Sequence, residues 1–517
     1  MRFSFFNRIL EDRIRVYFLI TFGACVVVQA CFFSQITLVD AVRYWAFSLD
    51  PISNFSEPKG QLADYGNLAE FGAARLGVVL PLFLSSSLFG PGLIGYHLFP
   101  LMFHSVTLIC IYLITKKFFG SNIGLLAMFI YGIFPVVLAW STQVLPDQMA
   151  IGWLTLSFAI ALGAVKFKNR LALPSLLSGV ALGLAYLSRE QVLMLAPLIL
   201  YSLFEFQNQV KRMHIFIQFI FGMMSVLVFE LVSLWVVYGN PFIRIESVLV
   251  HSDGSNRLLA EYGKDATVLT VLERAPSAFW QFDLGKLALV AVAISILCLP
   301  YTFTRKSIKW KAWRVICLWS FMWWVLMLIM AGLLNPMSPK IRDNQLRYWQ
   351  PLLPAWAIIS AVIFALVFRF VIKKLTSKSS RVSLINSIAI LSLVVLPGLK
   401  DLSELDNFRF FIFGKSTPTS NAAGLLASSG AKFSTIWVPP EQGIAMELYL
   451  RNLLGKSRWN GDVRQFKNVD ELNLGDPVMY FNTRHSAPKG SIAEYHSQST
   501  IVSGNCSKGY CITLKTE

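Results

Sequence analysis

Apolar stretches of about 20 residues recur along most of this 517-residue chain. A helix of that length crosses a hydrocarbon layer of ~30 Å, and because lipid cannot hydrogen-bond the backbone, only helices and closed barrels span it. Charged residues make up 15% of the chain, against about 25% in soluble domains. The chain is therefore predicted to be an all-α polytopic membrane protein with about eleven crossings. The predicted crossings cover residues 16–38, 92–115, 121–140, 148–165, 172–188, 191–206, 215–238, 286–303, 313–334, 348–371 and 383–399.

The net charge of +17 is a topology signal in such a chain. In a soluble protein it would suggest nucleic acid as a partner, so the positions of the charges decide its meaning. Lysines and arginines gather before the first crossing and in every second connection, whereas the opposite connections hold few. By the positive-inside rule, the N-terminus is predicted in the cytoplasm and the C-terminus outside, across a cytoplasmic (inner) membrane. No nucleic-acid partner is predicted.

Residues 73–89 are apolar enough to resemble a further crossing. The segment is short, however, and it holds Arg75, Pro81 and a run of serines. Counting it as a crossing would move every later basic connection outside, so it is predicted to be re-entrant or juxtamembrane. The predicted external regions are then 39–93, 239–285, 335–347 and the tail from residue 400.

The tail differs in character from the rest of the chain. Its short β-like runs predict a small extracytoplasmic α/β domain, 400–517, after a transmembrane domain, 1–399. The predicted tail elements are strands at 433–438 and 478–481, a helix at 440–454, and a terminal hairpin of 499–502 with 512–515.

Two cysteines, Cys506 and Cys511, flank the predicted turn of the terminal hairpin. In an oxidising compartment a disulfide between them would staple the hairpin, and two free thiols are the alternative. The other cysteines lie in or beside apolar stretches and are interpreted as small hydrophobic residues.

Ionisable residues gather where the predicted helices reach the outer face. Burying a charge costs about 2.5–3.5 kcal/mol at mid-bilayer, so such residues indicate a functional site. Arginine forks hold phosphate oxygens bidentately, and a carboxylate can take the proton of an attacking hydroxyl. The pattern favours a reaction between a membrane-anchored anion and a nucleophile arriving from outside. The candidate residues are Asp40, Tyr44, Lys59, Arg75, Asp147, Arg189, Glu190, Arg347 and Tyr348.

Several of these candidates have a structural alternative. Asp40 and Asp147 have the positions expected of helix N-caps. Arg75 has the length to reach lipid headgroups. Arg189 and Glu190 are adjacent, so a local ion pair would also explain them.

Three polar residues inside predicted crossings are interpreted structurally. Glu230 is costly at its depth, and a structural hydrogen bond explains it better than chemistry. His97 and His104 are seven residues apart on one helical face, where helix packing is favoured over metal binding.

The sequence resembles the GT-C superfamily of membrane glycosyltransferases, and within it the family 39-like branch of protein mannosyltransferases and the aminoarabinose transferase of lipid A. The resemblance covers about residues 16–366, and it depends on the order of several motifs, since no single motif is specific. The motifs are DAVRY at 40–44, ARLGVVLP at 74–81, LFG at 88–90, FFG at 118–120, STQVLPD at 141–147, GLAYLSR at 183–189 and RYWQPLLP at 347–354.

The resemblance implies an inverting transfer from an undecaprenyl- or dolichyl-phosphate sugar. It implies that Asp40 is the general base and that Arg75 binds the donor phosphate, with Arg347 and Arg189 assisting. Family members often have a second acid directly after the first, but Ala41 stands here. This departure leaves no cofactor certain and a divalent metal possible, and it favours a bacterial envelope enzyme over a protein mannosyltransferase.

The leading hypothesis is a polyprenyl-phosphate-sugar-dependent glycosyltransferase that acts on a lipid, glycan or protein acceptor, with membrane lipids around it. A transporter or lipid-linked oligosaccharide flippase is the alternative, and it predicts midplane charges and broken helices in two matching halves. A non-catalytic scaffold would tolerate alanine at Arg75, Asp147 and Arg347 together.

Overall fold

The protein is described here by a computed structural model, which carries most of the helical region and the strands of the tail. The described residues are 2–31, 39–49, 51, 74–90, 93–165, 173–207, 211–252, 272–273, 276–277, 279–331, 346–375, 397, 400–401, 435–438, 462–465, 478–481, 500–503 and 510–514.

Fourteen α-helices are described in this part of the chain, and two 3₁₀ segments, Glu190–Leu195 and Leu346–Leu352, precede the ninth and fourteenth of them. The helices are α1 Arg2–Cys31, α2 Val39–Leu49, α3 Leu76–Phe89, α4 Leu93–Phe119, α5 Ser121–Ile133, α6 Pro135–Trp140, α7 Pro146–Ala161, α8 Leu173–Ser188, α9 Ala196–Phe206, α10 Arg212–Tyr238, α11 Ile243–Ser252, α12 Asp283–Thr304, α13 Ile308–Ala331 and α14 Leu353–Leu375.

Six of the described helices are long and apolar enough to cross a membrane, which confirms the polytopic all-α architecture. They match the predicted crossings at 16–38, 92–115, 215–238, 286–303, 313–334 and 348–371. Four other predicted crossings are helices that are shorter or interrupted, namely 121–140, 148–165, 172–188 and 191–206. The last, 383–399, lies almost wholly outside the described residues.

The interruptions occur at prolines. The crossing predicted at 121–140 breaks at Phe134, whose backbone is extended (φ −64°, ψ 125°) because Pro135 begins the next helix. Pro146 likewise stands at the start of α7, where its missing N–H costs nothing. The sequence interpretation missed the break at Phe134 because it judged length and hydropathy alone.

The segment predicted to be re-entrant contains α3. Its 14 residues span about 21 Å at ~1.5 Å per residue, less than the ~30 Å hydrocarbon core. The helix packs against α2, α4 and α8. Its length therefore agrees with a segment that does not cross the bilayer by itself.

The centre of the bundle is α7, whose residues are buried on nearly every side. It contacts α4 and α8, and α8 in turn crosses α10 closely. Small residues permit that crossing: a Cβ added at Gly179 would collide with the carbonyl oxygen of Phe219, and one at Gly222 with that of Leu176. Close approach through small residues is how helices associate in membranes.

A tryptophan cluster fixes the 3₁₀ segment before α14. Trp319 stacks on Phe158 with ring centroids 4.1 Å apart and donates to the Pro351 carbonyl at 3.0 Å. Trp323 donates to the Tyr348 carbonyl at 3.2 Å. Both indoles are fully buried, so α13 holds the backbone of the RYWQPLLP motif in place.

The described residues of the tail include five strands: β1 Thr435–Val438, β2 Asp462–Gln465, β3 Val478–Phe481, β4 Thr500–Ser503 and β5 Tyr510–Leu514. They form one mixed sheet of order β2–β1–β3–β5–β4. β1 pairs in parallel with both β2 and β3, whereas β5 pairs antiparallel with β3 and β4.

These strands confirm the predicted strands and terminal hairpin, and they add β2, which sequence reasoning missed. The predicted helix at 440–454 lies outside the described residues. Cys511 lies on β5 opposite Tyr480, but Cys506 is outside the described residues, so the disulfide stays a prediction.

The start of the tail contacts the membrane helices. The Asp401 carboxylate accepts the backbone N–H groups of Asp283 (2.7 Å) and Leu284 (2.9 Å) at the start of α12. Lys400 Nζ also lies 2.7 Å from the Asp283 carboxylate. These bonds satisfy N–H groups that a helix N-terminus otherwise leaves without partners, and they anchor residues 400–401 to the bundle.

Candidate functional site

Arg75 and Glu190 form the first contact of the site. Arg75 immediately precedes α3 and is only 8% exposed. Its Nη2 lies 3.3 Å from each oxygen of the Glu190 carboxylate. Glu190 begins the 3₁₀ segment after α8, so the contact joins residues that are 115 positions apart.

Gly77 explains how α3 comes so close to the end of α8. A Cβ added there would lie 2.5 Å from the backbone nitrogen of Ser188. The Ser188 hydroxyl donates to the Gly77 carbonyl at 3.2 Å. The missing side chain therefore lets the first turn of α3 rest on the turn that carries Arg189 and Glu190.

Arg189 and Asp147 form a buried ion pair. Arg189 lies in extended backbone (φ −152°, ψ 120°) between α8 and the 3₁₀ segment, and its Nε donates to the Gln191 side chain at 3.1 Å. Asp147 is the second residue of α7, where Leu145 is the N-cap. Both side chains are less than 5% exposed.

These contacts show that two structural alternatives offered by the sequence were wrong, namely the N-cap role of Asp147 and the local ion pair of Arg189 with Glu190. Asp147 is not a helix N-cap, because Leu145 occupies that position and Asp147 is the second residue of α7, where its carboxylate pairs with Arg189. Arg189 and Glu190 do not pair with each other, because each has a partner from elsewhere in the chain. Adjacent residues at an extended turn direct their side chains apart, which is why sequence adjacency misled the interpretation.

Tyr348 brings a third arginine to the site. The guanidinium carbon of Arg189 lies 4.8 Å from the centroid of the Tyr348 ring, and that of Arg347 lies 5.0 Å from the same centroid. Arg347 Nη2 also contacts the Tyr348 hydroxyl at 3.1 Å. Aromatic faces attract such cations, so one ring supports two arginines from distant segments.

Arg244, which sequence reasoning missed, completes the cluster. It lies on α11, is 2% exposed, and forms an ion pair with Glu230 of α10. Its Nε and Nη2 lie 3.1 and 3.0 Å from Glu190 Oε1, and Nη2 donates to the Tyr186 carbonyl at 2.6 Å. Glu230 thus has the structural role that was predicted for it. The free-energy cost of burying its carboxylate was the one sequence signal that pointed to a cationic partner such as Arg244.

The charges of the site do not cancel. Four arginines face three carboxylates among the described residues of the cluster. They are Arg75, Arg189, Arg244 and Arg347 against Asp147, Glu190 and Glu230.

The pKa values reflect the same surroundings. Burial lowers the pKa of Arg189 to about 9, and the nearby charges of Arg75 and Arg347 contribute to that shift. Burial of Glu190 opposes ionisation, but Arg75 and Arg244 outweigh it and lower the pKa of that carboxyl to about 2. Both groups are therefore charged at neutral pH.

The remaining candidates are only partly described. Asp40 is the second residue of α2, and nothing is described of its side chain. Tyr44 is buried on α2 at 5% exposure. Lys59 lies outside the described residues.

The helix that carries Asp40 packs against α3, and it also contacts α4. Trp45 meets Tyr96 edge-on with ring centroids 5.5 Å apart, and the Tyr96 hydroxyl contacts Gln143 at 3.0 Å. The neighbouring His97 contacts the Thr142 carbonyl at 2.8 Å. The STQVLPD motif is thus tied to α4 beside α2.

Among the described residues, no group of three or more His, Cys, Asp or Glu side chains is placed to hold a metal ion. His97 bonds to the backbone, and His104 stacks on Tyr131 with centroids 5.7 Å apart. These contacts agree with the packing role that was favoured for the two histidines.

A known protein family matches part of the chain. The family model for dolichyl-phosphate-mannose-protein mannosyltransferase matches residues 79–236. No curated protein matches the chain significantly in sequence.

Solved structures show the same fold at low identity. ArnT from Cupriavidus metallidurans bound to undecaprenyl phosphate has a TM-score of 0.55 at 11% identity, over 97% of this chain and 98% of that one. The same protein in the apo state has a TM-score of 0.56 at 11% identity, with the same coverage. AglB from Archaeoglobus fulgidus, in complex with an inhibitory peptide and a dolichol-phosphate, has a TM-score of 0.45 at 11% identity, over 84% of this chain and 64% of that one.

The bundle and its buried cluster of arginines and carboxylates define a polytopic membrane protein with a charged site at its helix ends. In its family match over residues 79–236 and in its fold, the chain is similar to membrane glycosyltransferases.

Proposed function

We propose that the protein transfers a sugar, with inversion, from a polyprenyl-phosphate donor to a lipid, glycan or protein acceptor on the outer face of the cytoplasmic membrane. The observation that carries the proposal is the convergence of Arg75, Arg189 and Arg347 from three distant segments on one buried cluster. Arginines in such an arrangement suit the phosphate of a lipid-linked donor. The similarity in fold to ArnT bound to undecaprenyl phosphate agrees with that class of donor.

The arginines act on the leaving group in this proposal. As the bond from the sugar C1 to the phosphate oxygen breaks, negative charge grows on the polyprenyl phosphate. Arg75, Arg189 and Arg347 stabilise that charge in a desolvated site, where electrostatic stabilisation is strongest. Asp147 and Tyr348 hold Arg189 in position.

Asp40 acts on the acceptor. Its carboxylate takes the proton of the acceptor hydroxyl while the hydroxyl oxygen forms the new bond to C1. Polyprenyl phosphate leaves from the opposite side, which inverts the anomeric centre. The motivating observation is that α2, which carries Asp40, packs against α3, the helix that begins directly after Arg75.

The proposed location of the site on the outer face is supported by the residues at the two ends of α7. At its C-terminal end, Lys117 Nζ bonds the carbonyls of Leu162 (2.9 Å) and Gly163 (2.7 Å), so a basic connection lies at that end. Asp147, which pairs with Arg189, lies at the other end, about 24 Å away along 16 residues. If the basic connections are cytoplasmic, the site is on the outer side.

The test uses membranes that contain wild-type protein or the Asp40→Asn variant, incubated with a labelled polyprenyl-phosphate sugar. Asn keeps the size of Asp but cannot take the proton, so transfer should fall by about 10²–10⁴-fold. Normal expression and thermal unfolding of the variant provide the folding control.

Two results would count against the proposal. Full transfer by Asp40→Asn would exclude Asp40 as the base. Translocation of a lipid-linked sugar across liposomes that hold the pure protein, without any transfer product, would favour the flippase alternative.

A further inference from the structure

One carboxylate of the site serves two arginines. Glu190 lies 3.3 Å from Arg75 Nη2 and 3.0 Å from Arg244 Nη2. Arg244 reaches the same Oε1 atom a second time through Nε, at 3.1 Å. Among these described contacts, Arg244 and Arg75 are connected through the Glu190 carboxylate.

Arg244 is held independently of Arg75. It pairs with Glu230 of α10 and donates to the Tyr186 carbonyl at the end of α8. Its guanidinium carbon also lies 4.7 Å from the centroid of the Tyr186 ring. At 2% exposure, it is a buried charge that is fixed on three sides.

Sharing matters because a carboxylate that neutralises an arginine competes with any other anion for it. In a site of low dielectric, this competition is strong. Because Glu190 also bonds Arg244, its carboxylate offsets the positive potential at Arg75 less completely, and an incoming anion meets a more positive site there. Without Arg244, the Glu190 carboxylate would be shared no longer, and it would offset the charge of Arg75 more strongly.

We propose that Arg244 and Glu230 are positioning residues that keep Arg75 available for the donor phosphate by sharing the Glu190 carboxylate. The inference rests on the proposed role of Arg75 in binding that phosphate. Because Arg244 lies on α11, within the predicted external region 239–285, it also links that region to the donor site.

The experiment measures binding of undecaprenyl phosphate to the full-length protein in lipid nanodiscs. The main variant is Glu230→Gln with Arg244→Met, which removes both members of the pair and leaves no unpaired buried charge between them. It should weaken binding about tenfold, a factor within the range for a charged hydrogen bond. The control is Glu205→Gln with Lys311→Met, which removes an ion pair of 2.7 Å outside the site and should bind as the wild type does.

A third substitution separates charge sharing from a merely structural role. Adding Glu190→Gln to the main variant removes the competing carboxylate and should restore binding to within about threefold of wild type. Glu190→Gln alone keeps the Arg244–Glu230 pair and should bind at least as tightly as wild type. It also serves as the test if the main variant does not fold.

The outcomes are distinct. Weaker binding by Glu190→Gln, or wild-type binding by a folded main variant, would overturn the inference and leave the proposed function in place. Unchanged binding by Arg75→Met would instead refute the phosphate role of Arg75, and with it the part of the proposed function on which the inference rests.

Discussion

At the scale of single residues, the site is a set of ion pairs between distant positions. Most of the arginines and carboxylates were identifiable from sequence, because charged residues at the ends of apolar helices are costly and therefore informative. Their partners were not, since Arg75 and Glu190 are 115 positions apart and no periodicity relates them. Arg244 was missed for a similar reason: it lies on α11, outside every predicted crossing, so nothing marked its burial.

Glu190 should make stability depend on acid pH. Its pKa falls from an ordinary value of 4.5 to about 2 in the folded protein, because Arg75 and Arg244 outweigh burial. A lowered pKa stabilises the fold fully above the unfolded value and loses that effect as the pH falls through the folded value. We therefore expect the stability difference between wild type and Glu190→Gln to shrink as the pH falls from about 4.5 toward 2.

Thermal unfolding in detergent across this pH range checks the prediction. Glu246→Gln, at an exposed position of α11, is the matched control. A difference that stays constant, or grows, below pH 4.5 would show that Glu190 is not held as an anion by the two arginines.

At the scale of elements, proline and glycine residues determine where helices break and how closely they approach, and hydropathy does not reveal either feature. The predicted crossings were close to the observed helices in long, uninterrupted cases such as α10 and α12. Pro135 divided one predicted crossing into α5 and α6, because its ring forces the preceding residue out of helical conformation. The close contact of α3 with the end of α8 depends on Gly77, and this role is visible only once the two helices are placed side by side.

Gly77→Ala should disturb the site without touching a charged residue. The new Cβ would meet the Ser188 backbone nitrogen at 2.5 Å, and a backbone atom in a helix end cannot yield as a flexible side chain does. The start of α3, and Arg75 with it, must shift away from Glu190. We expect binding of undecaprenyl phosphate to weaken about tenfold or more, since a displacement of ~1 Å is enough to impair a site.

Gly23→Ala provides the control for this substitution. A Cβ at Gly23 has nothing within 4 Å, so binding and thermal stability should stay at the wild-type level. Equal effects from the two substitutions would contradict a specific role for the contact of α3 with α8.

At the scale of the whole molecule, the fold class followed from composition and charge placement, and the proposed outer location of the site rests on the same charge placement. Residues 116–117 are predicted to be cytoplasmic and the sheet of the tail extracytoplasmic. A phosphatase reporter, active only outside the cytoplasm, should be inactive when fused after residue 117 and active when fused after residue 517. An active fusion after residue 117 would invert the topology and with it the side of the site.

The central claim is that this protein transfers a sugar from a polyprenyl phosphate to an acceptor of the cell envelope. The most direct measurement compares, by mass spectrometry, the envelope lipids, glycans and glycoproteins of cells with and without the gene. The account predicts that one envelope component loses the mass of a sugar while the matching polyprenyl-phosphate sugar accumulates, and that wild-type protein, but not Asp40→Asn, reverses both changes. Unchanged masses in the deletion strain, or full reversal by Asp40→Asn, would contradict it.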